Sequence, residues 1–238
     1  MAEETTGLEQ VGDRLMLVGT VHVDPRAAVF VRDTILRLCP EVVALELDRS
    51  RLLALEKPGS ARATGSLGPS YLGLVLLERF AGQLTGSAPG TEMLRALEAA
   101  RSVGARVELI DLPISATVEG LRSLPLKEKL RVAVDSVAGI ATLPFGRQGL
   151  LGLTENIQEQ VVAFRSRYPN LSRLLLDRRE EHMVERLQDI MDASSGLVVG
   201  VVGFGHLASL KKGLAGYVSR QGFVTSYRWT QQVRPSQT

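Results

Sequence analysis

Two histidines occupy the same local setting at opposite ends of the chain. Leu15–His22 reads LMLVGTVH and Leu197–His206 reads LVVGVVGFGH, so each is an apolar run closed by Gly-x-x-His. An imidazole so placed can ligate a metal or move a proton near neutral pH. Glu46 closes a third apolar run, EVVALEL at 41–47, and Asp111 follows a fourth, RVELI at 106–110. A carboxylate at the end of a buried strand needs a cation, hydrogen-bond donors or a metal to offset its lost hydration. Arg51, in a short helix that Asp48 can cap, is a structural partner for Glu46; a site role is the other reading. Glu92 enters the first turn of a helix after the TGSAPGT loop at 85–91, where the helix dipole alone favours an acid. Arg179 is i+3 from Leu176 and i−4 from Met183, inside the apolar face marked by Leu176, Met183, Leu187 and Ile190. A guanidinium turned inward must be met by carboxylates or a ligand anion. Arg178 lies nearer the solvent edge of that helix and His182 borders its face.

The elements that would position these groups alternate along the chain. Leu15–Gly19, Glu41–Leu47, Arg106–Ile110 and Leu197–Gly203 read as strands, the continuous Val and Leu of the second indicating a parallel sheet buried on both faces. Helices fall between them. Asp24-Pro25 opens one whose stripe is Ala28, Val31, Ile35 and Leu38; it stops at Cys39-Pro40, and another runs from Glu92 to about Val103. Residues 113–150 read as helical pieces broken at Pro125 and Pro144, and Gly146–Gly152 as a flexible connection. Asn170 caps the later helix after Pro169. The expected fold is α/β, a mostly parallel central sheet flanked by helices. In such sheets ligands gather at the carboxyl ends of the strands, so His22, Glu46, Asp111 and His206 are expected to meet there. The glycines before the histidines read as room for an imidazole to approach a shared site.

Composition narrows the function. A chain of 238 residues, 45% hydrophobic and 23% charged, suits one well-buried domain, read as 14–230 between a disordered start at 1–13 and a tail at 231–238. A net charge of +2 and 5% aromatic residues disfavour nucleic acid as a partner. After Asp192 no acidic residue follows while Lys211, Lys212, Arg220, Arg228 and Arg234 remain, which reads as a solvated basic edge. The lone Cys39 reads as an inert core thiol in a reducing compartment. The start MAEETTGLEQ lacks the pattern of a secretion signal, and the most apolar stretch, Val132–Phe145, is interrupted by Asp135 and Pro144. The expectation is a soluble cytoplasmic protein with no membrane span, with room for a homo-oligomer. Residues 57–70, KPGSARATGSLGPS, read as a loop able to cover a substrate. Tyr71–Leu84 reads as a helix, and Phe223–Tyr227 as a last strand.

Taken alone, Gly203-Phe204-Gly205-His206-Leu207-Ala208 satisfies the G-x-G-x-x-A form of a dinucleotide fingerprint. That fingerprint needs an acidic residue about 20 positions on to hold the ribose, and none follows it. No P-loop, G-x-S-x-G elbow, H-E-x-x-H or C-x-x-C is present.

A family resemblance rests on GTVH at 19–22, ELDRSR at 46–51, APGTEM at 88–93, LIDLPI at 109–114, YPNLSRLLLDRREEHM at 168–183 and VVGVVGFGHLASL at 198–210. In that order they resemble the successive motifs of the TraB/PrgY/GumN (TIKI) family. The resemblance implies a fold of the erythromycin-esterase/ChaN/TIKI-like type, with paired G-x-x-H motifs and acidic residues around a divalent-metal site. His22 and His206 match the two motif histidines, Glu46 the strand-end glutamate, Glu92 the Glu of G-x-E-M, and Arg179 the arginine of E-R-[DN]. The sequence departs from that pattern at Arg178, where Glu is usual, at Glu180, where Asp or Asn is usual, and at Leu112, where Arg often follows the strand-end Asp. The membrane segments that follow the domain in many prokaryotic relatives are absent from the sequence.

The resulting expectation is a metal-dependent hydrolase acting on a peptide or protein. His22 and His206 are the metal ligands, with Glu46 a third ligand or the general base. Arg179, steered by Glu92 or Asp111, orients the carboxylates or stabilises an oxyanion. Two imidazoles with oxygen ligands suit Mn, Co or Zn alike. The alternative is a non-catalytic regulatory module that holds a peptide or ligand in the same cleft.

Overall fold

A computed structural model of the chain describes residues 7–20, 25–56, 90–142 and 157–220. His22, Asp24, the segments expected at 57–70 and 71–84, the connection at 146–152 and the strand at 223–227 lie outside the described residues.

Strands β1 (Gly7–Val11), β2 (Leu15–Thr20), β3 (Val42–Leu45), β4 (Arg106–Leu109) and β5 (Val198–Gly203) form one sheet in the order β1-β2-β5-β3-β4. All neighbours are parallel except β1, which pairs antiparallel with β2 from Gly7 opposite Gly19 to Val11 opposite Leu15. The fold is α/β, with a mostly parallel sheet between helices. Val11 to Leu15 closes as a hairpin around Gly12, whose φ of +67° few other residues tolerate. Residues 7–11 are therefore an edge strand and not part of a disordered start. GLEQV has too few apolar positions to announce a strand alone; its partner β2 supplies the reason to extend.

Alternation along the strands divides the core in two. Leu15, Leu17, Val42, Ala44, Val198 and Val202 face one side, where they pack against Met183, Leu187 and Ile190 of α8 (Arg178–Asp192) and Leu210 and Leu214 of α9 (Leu207–Arg220). Val18, Val43, Leu45, Val199 and Val201 face the other, covered by Val31 and Ile35 of α1 (Pro25–Leu38) and by Met93, Ala96 and Leu97 of α3 (Thr91–Ser102). The same period-two alternation sends Glu46, two residues past Ala44, to the α8 side. Between these elements lie α2 (Arg49–Glu56), α4 (Ile114–Ser123), α5 (Leu126–Thr142), α6 (Ile157–Arg167) and a short α7 (Pro169–Ser172).

Three local expectations change. Cys39 is exposed, because it ends α1 in a left-handed conformation at φ +42°, with its N–H on the Ile35 carbonyl, and turns its thiol outward before buried Pro40. Leu176 is only half-buried while Leu174 is buried, because Arg173–Asp177 is a π-helical turn that shifts the face phase just ahead of α8. Asn170 sits inside α7 and not at its cap; its amide donates to Glu128, 2.7 Å away.

Candidate functional site

Because β2, β5, β3 and β4 are parallel, their carboxyl ends share one edge, and Glu46, Asp111 and His206 come together there with Arg179 from α8. At the end of β3 the Glu46 N–H donates to the Val201 carbonyl at 3.0 Å, and the N–H of Gly203 donates to Glu46 Oε2 at 2.6 Å. That bond carries the β5 register directly into the position of the carboxylate. Asp111 follows β4 and accepts from the Leu112 N–H at 2.8 Å.

Arg179 is the hub. Its Nε and Nη2 donate to the two oxygens of Asp111, each at 2.8 Å, Nη2 also donates to Glu46 Oε1, and Nη1 reaches the Leu175 carbonyl of the π turn at 3.3 Å. Four of its five N–H groups are thus committed to protein acceptors. The side chains of Glu46 and Asp111 are 4% and 2% exposed, so the guanidinium is the countercharge that makes their burial affordable. Burial alone would lower the Arg179 pKa, but the Glu46 charge and the hydrogen bonds and charge of Asp111 raise it above its ordinary value. Arg51 adds a second cation to Asp111 at 2.8 Å, so its partner is Asp111 and not Glu46. Asp48 accepts from the N–H groups of Ser50 and Arg51 in α2 and of Ile114 at the start of α4, tying the two helices beside the site.

His206 lies in a single 3-10 turn, Phe204–His206, between β5 and α9, and is buried. Its Nδ1 meets Glu180 Oε1 at 3.0 Å, and its Nε2 stands 3.5 Å from Glu46 Oε1, beyond hydrogen-bond distance. An ionised Glu180 can only accept, so a neutral imidazole carries its proton on Nδ1 and leaves Nε2 bare toward Glu46. Glu180 is itself buried and bonded at 2.8 Å by Arg165 of α6. Its burial would raise its pKa, yet the hydrogen bond of His206, the charge that imidazole carries when protonated and the charge of Arg165 hold it below the ordinary glutamate value. Glu180 entered the sequence reading only as a departure from a motif. The signal for a larger part was its spacing, i−3 from Met183 and i−7 from Leu187, which places it on the buried face.

Glu92 is buried in the first turn of α3, and the hydrogen bonds of Arg179 go to Asp111, Glu46 and Leu175 and not to it. Gly19 leaves space for Leu207: a Cβ there would stand 2.2 Å from Leu207 Cδ1. Leu207 adjoins His206, so the glycine acts on the histidine through its neighbour. Arg178 and His182 face elsewhere, into a cleft of about 240 Å³ bordered by Leu112, Ala116 and Leu174.

The sequence model of the TraB/PrgY/gumN family matches residues 7–226, which includes every strand among the described residues and Glu46, Asp111, Arg179, Glu180 and His206. The chain belongs to that family. An uncharacterized protein of Methanocaldococcus jannaschii is 27% identical over 207 residues, covering 82% of this chain and 52% of the relative. The chain thus spans about half the length of that relative. No helix among the described residues is long and apolar enough to cross a membrane.

The divalent ion implied by the family resemblance can be tested against the described donors. Two ligands on a tetrahedral ion with bonds of about 2.1 Å are about 3.4 Å apart. His206 Nε2 and Glu46 Oε1, 3.5 Å apart, match that edge. A histidine ligand whose other nitrogen is held by a carboxylate is the usual arrangement, and Glu180 supplies it. Among the described residues no three His, Cys, Asp or Glu side chains form a complete cage, and the other motif histidine, His22, lies outside them. The described part of the site fits an ion through two donors, with Arg179 sharing Glu46 Oε1.

Proposed function

We propose that this TraB-family chain is a divalent-metal-dependent hydrolase whose substrate is a peptide or protein. The observation that carries the reading is the pose of His206, held by Glu180 through Nδ1 with Nε2 turned toward Glu46. His206 and His22 would hold the ion, with Glu46 as a third ligand or as the general base. When bound, the ion supplies Lewis acidity toward a carbonyl oxygen and a more acidic water. In the base role Glu46, fixed by the Gly203 N–H and Arg179, takes a proton at its carboxylate and is then not a ligand. Arg179, locked by Asp111, which Arg51 also binds, holds Glu46 in place and has one Nη1–H left for a substrate oxygen. The peptide substrate class rests on the family resemblance, and Mn, Co and Zn all suit the donors.

A second reading draws on the same geometry. Arg179 already occupies Glu46 Oε1, an arrangement that also suits a cleft that binds a ligand without cleaving it. Metal content and peptide cleavage of tag-free protein separate the two. The hydrolase reading expects metal in the native chain, its loss in His206→Ala, and roughly 10–100-fold weaker metal affinity in Glu180→Gln. Negligible metal in both the native chain and His206→Ala, without metal-stimulated cleavage, would overturn it.

A further inference from the structure

Helix α5 presents an apolar stripe to solvent although it belongs to a folded body. Leu126, Leu130 and Val134 recur every fourth residue along one side and are 71%, 58% and 64% exposed. Over eight residues of rise the stripe is about 12 Å long. The opposite side is the one joined to the protein, and the joints are polar. Glu128 is buried and accepts from the Leu171 N–H at 2.8 Å and the Asn170 amide at 2.7 Å, while Asp135 accepts from Arg167 and Tyr168 of the adjoining segment. At 100° per residue, both acids of this surface lie roughly opposite the stripe. Its cations do not. Lys127, Lys129 and Arg131 are exposed and fall beside the stripe, one close to it and one on each flank. The side-chain contacts of Lys129 with the Arg122 carbonyl and of Arg131 with the Arg167 carbonyl are to neutral acceptors.

This distribution of charge selects among occupants. A second copy laid face to face would bring three cations against three, which opposes self-association through the stripe. An apolar strip rimmed by Lys and Arg, with its acids turned away, complements an interface whose surface is anionic and whose interior is apolar. The basic stems can lie along the apolar boundary while their heads meet phosphate. We propose that the outward face of α5 docks this protein peripherally on an anionic lipid surface, with Leu126, Leu130 and Val134 entering the headgroup boundary and Lys127, Lys129 and Arg131 contacting the lipid phosphates. The stripe is too short to span a bilayer, so the contact is reversible and electrostatically controlled.

The test is flotation of the full chain with large vesicles of phosphatidylcholine alone or mixed with phosphatidylglycerol. The expected result at low ionic strength is partition onto the mixed vesicles roughly 100-fold above neutral ones, the gain from three basic side chains at an anionic surface, falling steeply as salt is added. Leu130→Glu and Val134→Glu should each abolish flotation, and Lys127→Gln with Lys129→Gln should reduce it several-fold. All these positions are exposed, so an unchanged thermal midpoint verifies that each variant is folded. No flotation with the mixed vesicles, equal flotation with both compositions, or binding indifferent to Leu130→Glu overturns the proposal. A native dimer in light scattering that Leu130→Glu converts to monomer also overturns it, because the stripe is then covered by a second copy.

Discussion

Replacing Arg179 with Met tests whether the guanidinium is what permits two carboxylates to lie buried at the strand ends. The side chain is 17% exposed and donates two hydrogen bonds to Asp111 and one to Glu46, whose own side chains are 2% and 4% exposed. Charge-assisted hydrogen bonds contribute about 1.5–3 kcal/mol each, which bounds the loss from above if all three were independent. They are not independent, since one cation serves all of them. Asp111 keeps Arg51 and the Leu112 N–H, and Glu46 keeps the Gly203 N–H with His206 3.5 Å away. Removing one partner of a buried pair costs about 3–5 kcal/mol, and that is the destabilisation expected in urea unfolding at neutral pH. In a domain of this size it corresponds to a drop of roughly 10 °C in thermal midpoint. Adding Glu46→Gln to Arg179→Met should recover part of the loss by removing the stranded charge, so the pair is non-additive by more than about 1 kcal/mol. Acidification should narrow the gap between Arg179→Met and the native chain, because a buried carboxylate without its cation is relieved by binding a proton. Arg179→Met within about 1 kcal/mol of native, or additive effects in the double variant, would refute the reasoning.

Gly19→Ala should cost about 1–3 kcal/mol in the same unfolding assay, because the new methyl meets Leu207 Cδ1 at 2.2 Å and Cγ at 2.8 Å. Asp48→Ala removes side-chain acceptors from Ser50, Arg51 and Ile114, and should destabilise by roughly 1 kcal/mol per helix start; Asp48→Asn should recover much of the α2 share. Tyr217 is pushed from 10.0 up to about 12, by burial first and then by its 2.5 Å hydrogen bond to Asp192. Its phenol retains its proton in the folded state at pH values where the unfolded chain loses it. The resulting stabilisation is complete below pH 10 and is lost as the pH rises through the folded value near 12; Tyr217→Phe should flatten unfolding free energy across that interval.

Much of the architecture was legible because buried parallel strands are continuous apolar runs and their intervening helices carry a clear period. Strands β2, β3, β4 and β5 and helices α1, α3 and α8 were readable in this way. Edge strand β1 was not, because GLEQV extends only when β2 stands beside it. The inward direction of Arg179 followed from its spacing to Met183, although the π turn displaced Leu176 from the expected face. Cys39 was misread because local apolarity does not reveal that a left-handed helix end turns the side chain outward.

The sequence by itself determined which residue types stand at the strand ends: two Gly-x-x-His turns, Glu46, and Asp111, together with an inward arginine on a later helix. Local periodicity decides that much, since it fixes which positions are buried and where each strand stops. Which charges neutralise which was decided only by tertiary structure. The strand order β2-β5-β3-β4 sets β5 between β2 and β3, so the Gly203 N–H reaches Glu46 and His206 stands against it, while Arg51 goes to Asp111 and Glu180 takes the imidazole. Pairing depends on distances between segments remote in sequence, and those distances exist only once the sheet is assembled.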